Sequence, residues 1–278
     1  VRPLEKLNFL ITTFGRLLVA MFNARLWPPY LIYMLVMLFL VVIIEFMFKP
    51  LFAGWVVPLA VAVTGNAVLH YPQHMLYMPY ILERFNLVPS LLLESLLNAA
   101  AVFMFASYFL GERVSFGASL RRAAKFYPKL LLIWLVNFVL VYLLFETLPS
   151  LFHDVVSGSP KREMALTIGM QGLSILFSAL FVYVVPYLVL QQRKLGESFV
   201  RSFSLFFRNF FTTYFYVFIP NIAIIILILL FQNGDQIISK FHPRVMVGLT
   251  YVEVLFMIGA NFFTTGAIVR FFLEVAEE

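Results

Sequence analysis

Six stretches of this chain are each apolar for about twenty residues, the length a helix needs to cross roughly 30 Å of hydrocarbon. They are Pro28–Phe48, Val88–Leu110, Pro128–Leu148, Ala165–Leu190, Phe211–Phe231 and Val245–Leu273, the last despite Glu253 and Asn261. A water-soluble fold of 278 residues cannot hide them all. Hydrophobic residues make up 62% of the chain and charged residues 12%, against about 45–50% and about 25% in ordinary soluble domains. The reading is an all-α integral membrane protein with six transmembrane helices in one polytopic domain, 1–278. Pro28 and Pro128 open their spans, where a missing N–H is harmless.

Leu51–Leu69 is also apolar, but Gly54, Pro58, Gly65 and Asn66 interrupt it. The distribution of basic residues decides how it is read, because Lys and Arg resist translocation. With six spans, the N-terminal segment, the loops around Arg121 and Arg201, and the C-terminus share one side. That side then holds 14 of the 20 basic residues. A seventh span would move the loop from Arg113 to Lys129 to the opposite face. Lys49–Asn86 is therefore read as an extracytoplasmic insert, re-entrant or surface-lying, with both termini cytoplasmic in a bacterial inner membrane. Val1–Asn23 lacks a compact apolar core followed by a small-residue cleavage site, so no cleavable leader is expected there.

The formal charge of +6 is accounted for by basic residues at span ends facing anionic lipid, so membrane lipids and not nucleic acid are the expected partners. The chain has no cysteine, which excludes disulfides, thiolate metal sites, iron–sulfur clusters and a thiol nucleophile.

Each connection on the basic side has the pattern of an amphipathic helix leading into a span. In the last, Phe199, Phe203 and Phe206 oppose Glu197, Arg201, Ser204 and Arg208; in the middle one, Phe116, Leu120, Ala123 and Tyr127 oppose Arg121, Arg122 and Lys125. The first sets Phe14, Leu17, Leu18 and Met21 against Arg16 and Asn23. Such helices lie in the interface plane with their cations toward headgroups, which makes Arg121, Arg122, Lys125, Arg201 and Arg208 the interface residues. The architecture reads as three repeats of an interfacial amphipathic helix plus a transmembrane hairpin. They cover roughly 14–110 (with the insert 49–86), 113–190 and 195–273.

The runs GASLRRAAKFYPKLLLIWLV and GESFVRSFSLFFRNFFTTYFYVFIP resemble the polytopic domain attached to some bacterial glycerophosphoryl diester phosphodiesterases, and related stand-alone envelope membrane proteins. The resemblance implies an inner-membrane module. It implies no enzymatic activity, because the soluble phosphodiesterase domain that carries that family's catalysis is not found in these residues.

No nucleotide, serine-hydrolase or zinc-protease signature occurs, so no catalytic residue, metal ligand or cofactor is assigned. His70 and His74 have metal-ligand spacing and Asp154 adjoins His153, but Pro72 breaks the first pair. Glu45 and Glu146 sit near the outer ends of equivalent spans and reach the interface. Glu94 and Glu253 are read as deeper, with Gln171 in the matching place of the middle repeat. A carboxylate facing hydrocarbon needs water, a partner or a proton. These three residues are therefore the candidate binding layer, with Ala101, Ser178 and Ala260 seven residues further on allowing close helix approach. Three functions follow. The first is a non-enzymatic accessory or scaffold subunit of an envelope complex, partnered by other membrane subunits or a separately encoded soluble protein. The second is a transporter or lipid-handling protein using the Glu94, Gln171 and Glu253 layer. The third is an intramembrane enzyme acting on lipid.

Overall fold

All six apolar stretches are helices. The computed structural model describes residues 3–156 and 159–275, and among them regular structure is entirely helical. The order is α1 (Pro3–Met21), α2 (Pro28–Glu45), α3 (Pro50–Thr64), α4 (Gln73–Leu76), α5 (Met78–Pro89), a π turn at Ser90–Glu94, α6 (Ser95–Phe109) and α7 (Phe116–Ala124). There follow α8 (Tyr127–Val156), α9 (Pro160–Phe181), α10 (Val184–Val189), α11 (Leu195–Arg208), α12 (Phe210–Gln232), α13 (Gly234–Lys240) and α14 (Arg244–Val275). Six of the helical runs are long and apolar enough to span a bilayer. Arg2 and Lys6, two of the 14 basic residues counted on one side, and the readings on Glu146, His153 and Asp154 fall on side chains outside the described residues.

One boundary differs from the sequence reading. The helix that holds the second apolar stretch starts before Val88: α5 begins at Met78 and runs through the π turn into α6. Proline is tolerated within the first turns of a helix, and Pro79 pre-sets the backbone for this start. Within the insert, α3 is bounded by Lys49 in extended conformation and by Gly65 at φ +71°. At 15 residues it reaches about 22 Å, short of the hydrocarbon thickness.

The chain divides into two compact units. The first comprises Val1–Tyr30, Leu91–Ile222 and Ala260–Glu278. Its core is where the ends of the second, fourth and sixth spans meet. Phe105 of α6 packs edge-on to Phe262 of α14 with ring centroids 5.1 Å apart. Tyr187 of α10 meets Phe272 at 4.8 Å, and α6 and α10 also touch. The three amphipathic helices cover this core. α7 packs on α6, and α11 on α9 and α10. α1 packs on α14, where Leu17 lies against Gly266 and Arg270 Nη1 donates to the Thr12 carbonyl at 3.0 Å. Two of these helices thus pack on the span that precedes them in the chain, and the first packs on the last span.

In α11 the expected face is seated, with Phe206 buried and Phe199 and Phe203 edge-on to Phe181, while Arg201 and Arg208 are exposed. In α1 the buried stripe is Thr13, Leu17 and Ala20, and Leu18 is exposed. The sequence reading included Leu18 because apolarity alone does not distinguish protein-facing from lipid-facing positions.

The fourth span breaks at Val182 and Tyr183, between α9 and α10, four residues before Pro186. Proline removes an intrahelical donor and crowds the preceding turn. Pro186 offers no N–H to the Val182 carbonyl, and just before it the Leu180 carbonyl accepts from the buried Ser202 hydroxyl of α11 at 2.8 Å. Ser202→Ala strands this acceptor. The expected loss is about 1–3 kcal/mol, read as a lower melting temperature in detergent, with the exposed Ser204→Ala within about 0.5 kcal/mol of the parent. Equal melting of the two variants would show that α11 does not supply this bond.

The second unit comprises Leu31–Ser90 and Ala223–Gly259. Here the insert packs on itself through contacts of α3 and α4 with α5. Gly234, at the start of α13, is pressed against the side chains of Leu76 and Met246, leaving no room for a Cβ.

Candidate functional site

Polar groups within long apolar helices must find partners, since hydrocarbon supplies none. The first unit satisfies several of them between helices. The Glu94 carboxylate accepts from Asn261 Nδ2 at 3.3 Å. One turn on, the Thr265 hydroxyl donates to Asn98 Oδ1 at 3.2 Å. Tyr183 and Thr213 share a buried bond of 2.8 Å, and the Tyr216 hydroxyl donates to Thr13 at 3.2 Å.

Glu94 closes the π turn that follows Pro89. A π turn shifts carbonyls off the regular ladder, and nearby hydroxyls take them up. Ser95 donates to the Leu91 carbonyl at 2.7 Å, and Tyr127, at the start of α8, donates to the Leu92 carbonyl at 3.0 Å. Glu94 is therefore level with the entrance of the third span. Because its helix starts at Met78, it lies sixteen residues along, or roughly 24 Å. Gln171, half-buried on α9, lies eleven residues beyond Pro160.

Glu253 belongs to the second unit, nine residues into α14. Its Oε2 is buried with no hydrogen-bond partner among the described residues. In the same unit the Tyr251 hydroxyl donates to Glu45 Oε2 at 2.9 Å, and Tyr33 donates to Asn86 Oδ1 at 2.8 Å. Glu45, read as an interfacial carboxylate, is thus tied to the sixth span.

The histidines are separated by the local backbone. A 3-10 turn ends at Leu69 and α4 begins at Gln73, so His70 and His74 do not share a helix face. His74 is held between the rings of Phe48 and Tyr71, at 5.4 and 5.9 Å, and burial pushes its imidazole below its ordinary pKa. His242 Nδ1 accepts from the Arg244 amide at 3.2 Å. Among the described residues no group of three His, Cys, Asp or Glu side chains stands ready for a metal ion.

Of the five interface cations, Arg121, Arg122, Lys125, Arg201 and Arg208 are all exposed. Arg201 Nε is bonded to Glu197 at 2.9 Å, an exposed pair worth little on its own. Arg270 is the basic residue that the charge count placed with the C-terminus, on the cytoplasmic side. It is only 4% exposed and its guanidinium lies 5.5 Å from the Phe9 ring centre. It joins α14 to α1. The signal available in the sequence was its position one turn after Gly266, on the face that closes against α1. No family model, no curated protein and no solved structure matches this chain.

Proposed function

We propose that this chain is a non-enzymatic integral membrane module, an accessory or scaffold subunit of a cell-envelope complex in a bacterial inner membrane, with both termini cytoplasmic. The observation that carries the reading is the mutual pairing of polar side chains between its helices. Glu94 with Asn261, Asn98 with Thr265, Tyr183 with Thr213 and Tyr216 with Thr13 join helix to helix, as expected of groups that hold a scaffold together. Three repeats of one unit fit the packing of α7 on α6, α11 on α9 and α10, and α1 on α14, a cyclic order in which each amphipathic helix covers the span end before it. The two runs that resemble the phosphodiesterase-associated membrane domain fall on α7–α8 and α11–α12, the same helix-then-span pair.

Affinity purification of the full chain in mild detergent tests the reading. A membrane or soluble protein should co-purify in fixed stoichiometry. Glu94→Gln keeps an acceptor for Asn261 and should retain that partner, while Glu94→Ala should cost about 1–2 kcal/mol of stability with partner retention per folded molecule unchanged. A chain that purifies alone and moves protons or solute across liposomes, with Glu94→Gln abolishing the flux, would overturn it.

A second reading, a transporter or lipid-handling protein, is favoured by one observation: the buried Glu253 Oε2, which has no hydrogen-bond partner among the described residues. It predicts that Glu253→Gln removes proton-coupled flux while leaving the fold intact.

A further inference from the structure

Arg121, Arg122 and Lys125 lie within five residues of one another, and generic attraction to anionic lipid treats them alike. The fold does not. Arg122 and Lys125 line a cavity of about 450 Å³ together with Ser107, Glu112 and Gln192, and Arg121 is not among its walls. The cavity lies within the first unit, between the end of α6, the helix α7 and the chain that leaves α10. Phe126 and Leu110 give it an apolar side. Its volume is in the range of ligand-binding clefts, about 300–1,000 Å³.

Two turns shape the walls. Gly111, at φ +73°, ends α6 and lets the Glu112 amide return to the Ser107 carbonyl at 2.8 Å. Ser107 also donates through its hydroxyl to the Glu112 carboxylate at 3.2 Å. On the other side Gln192 has φ +52°, while the following amide, that of Arg193, returns to the Tyr187 carbonyl at 3.2 Å. A left-handed conformation costs a side chain other than glycine roughly 1–2 kcal/mol. Glycine would relieve that strain but would supply no amide to the cavity. Neither Arg122 nor Lys125 has an ion-pair partner among the described residues, so both are available to an incoming anion.

We propose that this cavity binds the headgroup of one anionic glycerophospholipid. Arg122 and Lys125 hold the phosphate, the Glu112 carboxylate and the Gln192 amide take the headgroup hydroxyls, and the acyl chains leave past Phe126 and Leu110. Phosphate chemistry accounts for the two cations. Glu112, an anion in the same cavity, accounts for a headgroup that also carries hydrogen-bond donors. The apolar side accounts for a lipid in preference to a soluble phosphate.

The test measures phosphatidylglycerol retained by the purified full-length chain through detergent exchange, quantified by mass spectrometry, beside phosphatidylcholine as the comparison lipid. The parent should retain about one phosphatidylglycerol and little phosphatidylcholine. Arg122→Gln and Lys125→Gln should each lower retention about tenfold, whereas Arg121→Gln should stay within about twofold. Gln192→Gly should lower retention while leaving the melting temperature equal or higher, a combination that a purely structural role for Gln192 excludes. Equal losses for Arg121→Gln and Arg122→Gln would overturn the proposal in favour of diffuse surface attraction. Displacement of the lipid by millimolar glycerophosphate would overturn the lipid as occupant and assign the cavity to a soluble phosphate compound. Retention unchanged in all four variants would remove the site altogether.

Discussion

Gly266→Val is expected to abolish monodisperse folded protein in detergent, the largest effect of any single substitution considered. Position 266 is where α14 passes both α1 and α6. A Cβ placed there would overlap the Leu17 side chain and come within 2.9 and 3.1 Å of the Phe105 ring. Flexible side-chain ends can often swing away from such a contact, but Leu17 and Phe105 are both fully buried, and Phe105 is fixed edge-on to Phe262. Gly266→Ala should therefore lose about 1–3 kcal/mol by overpacking, in spite of alanine's helix-propensity advantage of about 1 kcal/mol. Valine adds two further carbons at the same crowded point. Gly259, on the same helix, has open space where its Cβ would be, and Gly259→Ala should leave the melting temperature unchanged or raise it. Combining Leu17→Ala with Gly266→Ala should cost less than the sum of the two changes, because the shortened side chain makes room for the new methyl group. Strict additivity would show that the two residues do not share the contact.

Reporter fusions along the chain should give an all-or-none alternation. Alkaline phosphatase joined after Arg122 or Arg201 should be inactive, and joined after Ser159 or Asn233 it should be active. A charge distribution and a helix length both require this. Fourteen of the 20 basic residues fall on one side only if the insert does not cross, and Lys and Arg near span ends set orientation. The insert's apolar helix supplies the length: Pro50–Thr64 is stopped at 15 residues, below the roughly 20 needed to span. Active phosphatase after Arg122 would mean that this segment crosses after all. The orientation of every later span would then invert.

The sequence determined a good deal of this protein on its own. Six helices long and apolar enough to cross a bilayer, their order and most of their ends are local properties, set by runs of apolar residues stopped by charge, Pro and Gly. The helix Leu195–Arg208 was legible for the same reason, since its faces repeat at the helical period. The early start of the second long helix at Met78 was not legible. Arg84 and Asn86 break its apolarity, while the helix is continued by its packing and by the Tyr33 bond to Asn86.

The candidate polar residues show the division most clearly. Apolar context was enough to single out Glu94 and Glu253 in the sequence. Only the tertiary structure tied Glu94 to Asn261, 167 positions away, and left Glu253 Oε2 without a partner among the described residues. Arg270 and Arg122 carry the same charge and both lie at span ends in the sequence. One became a buried tie between α14 and α1 and the other a wall of an open cavity. A charge's position along the chain limits how far it lies from the interface, but which partner it meets depends on which helix folds back against it.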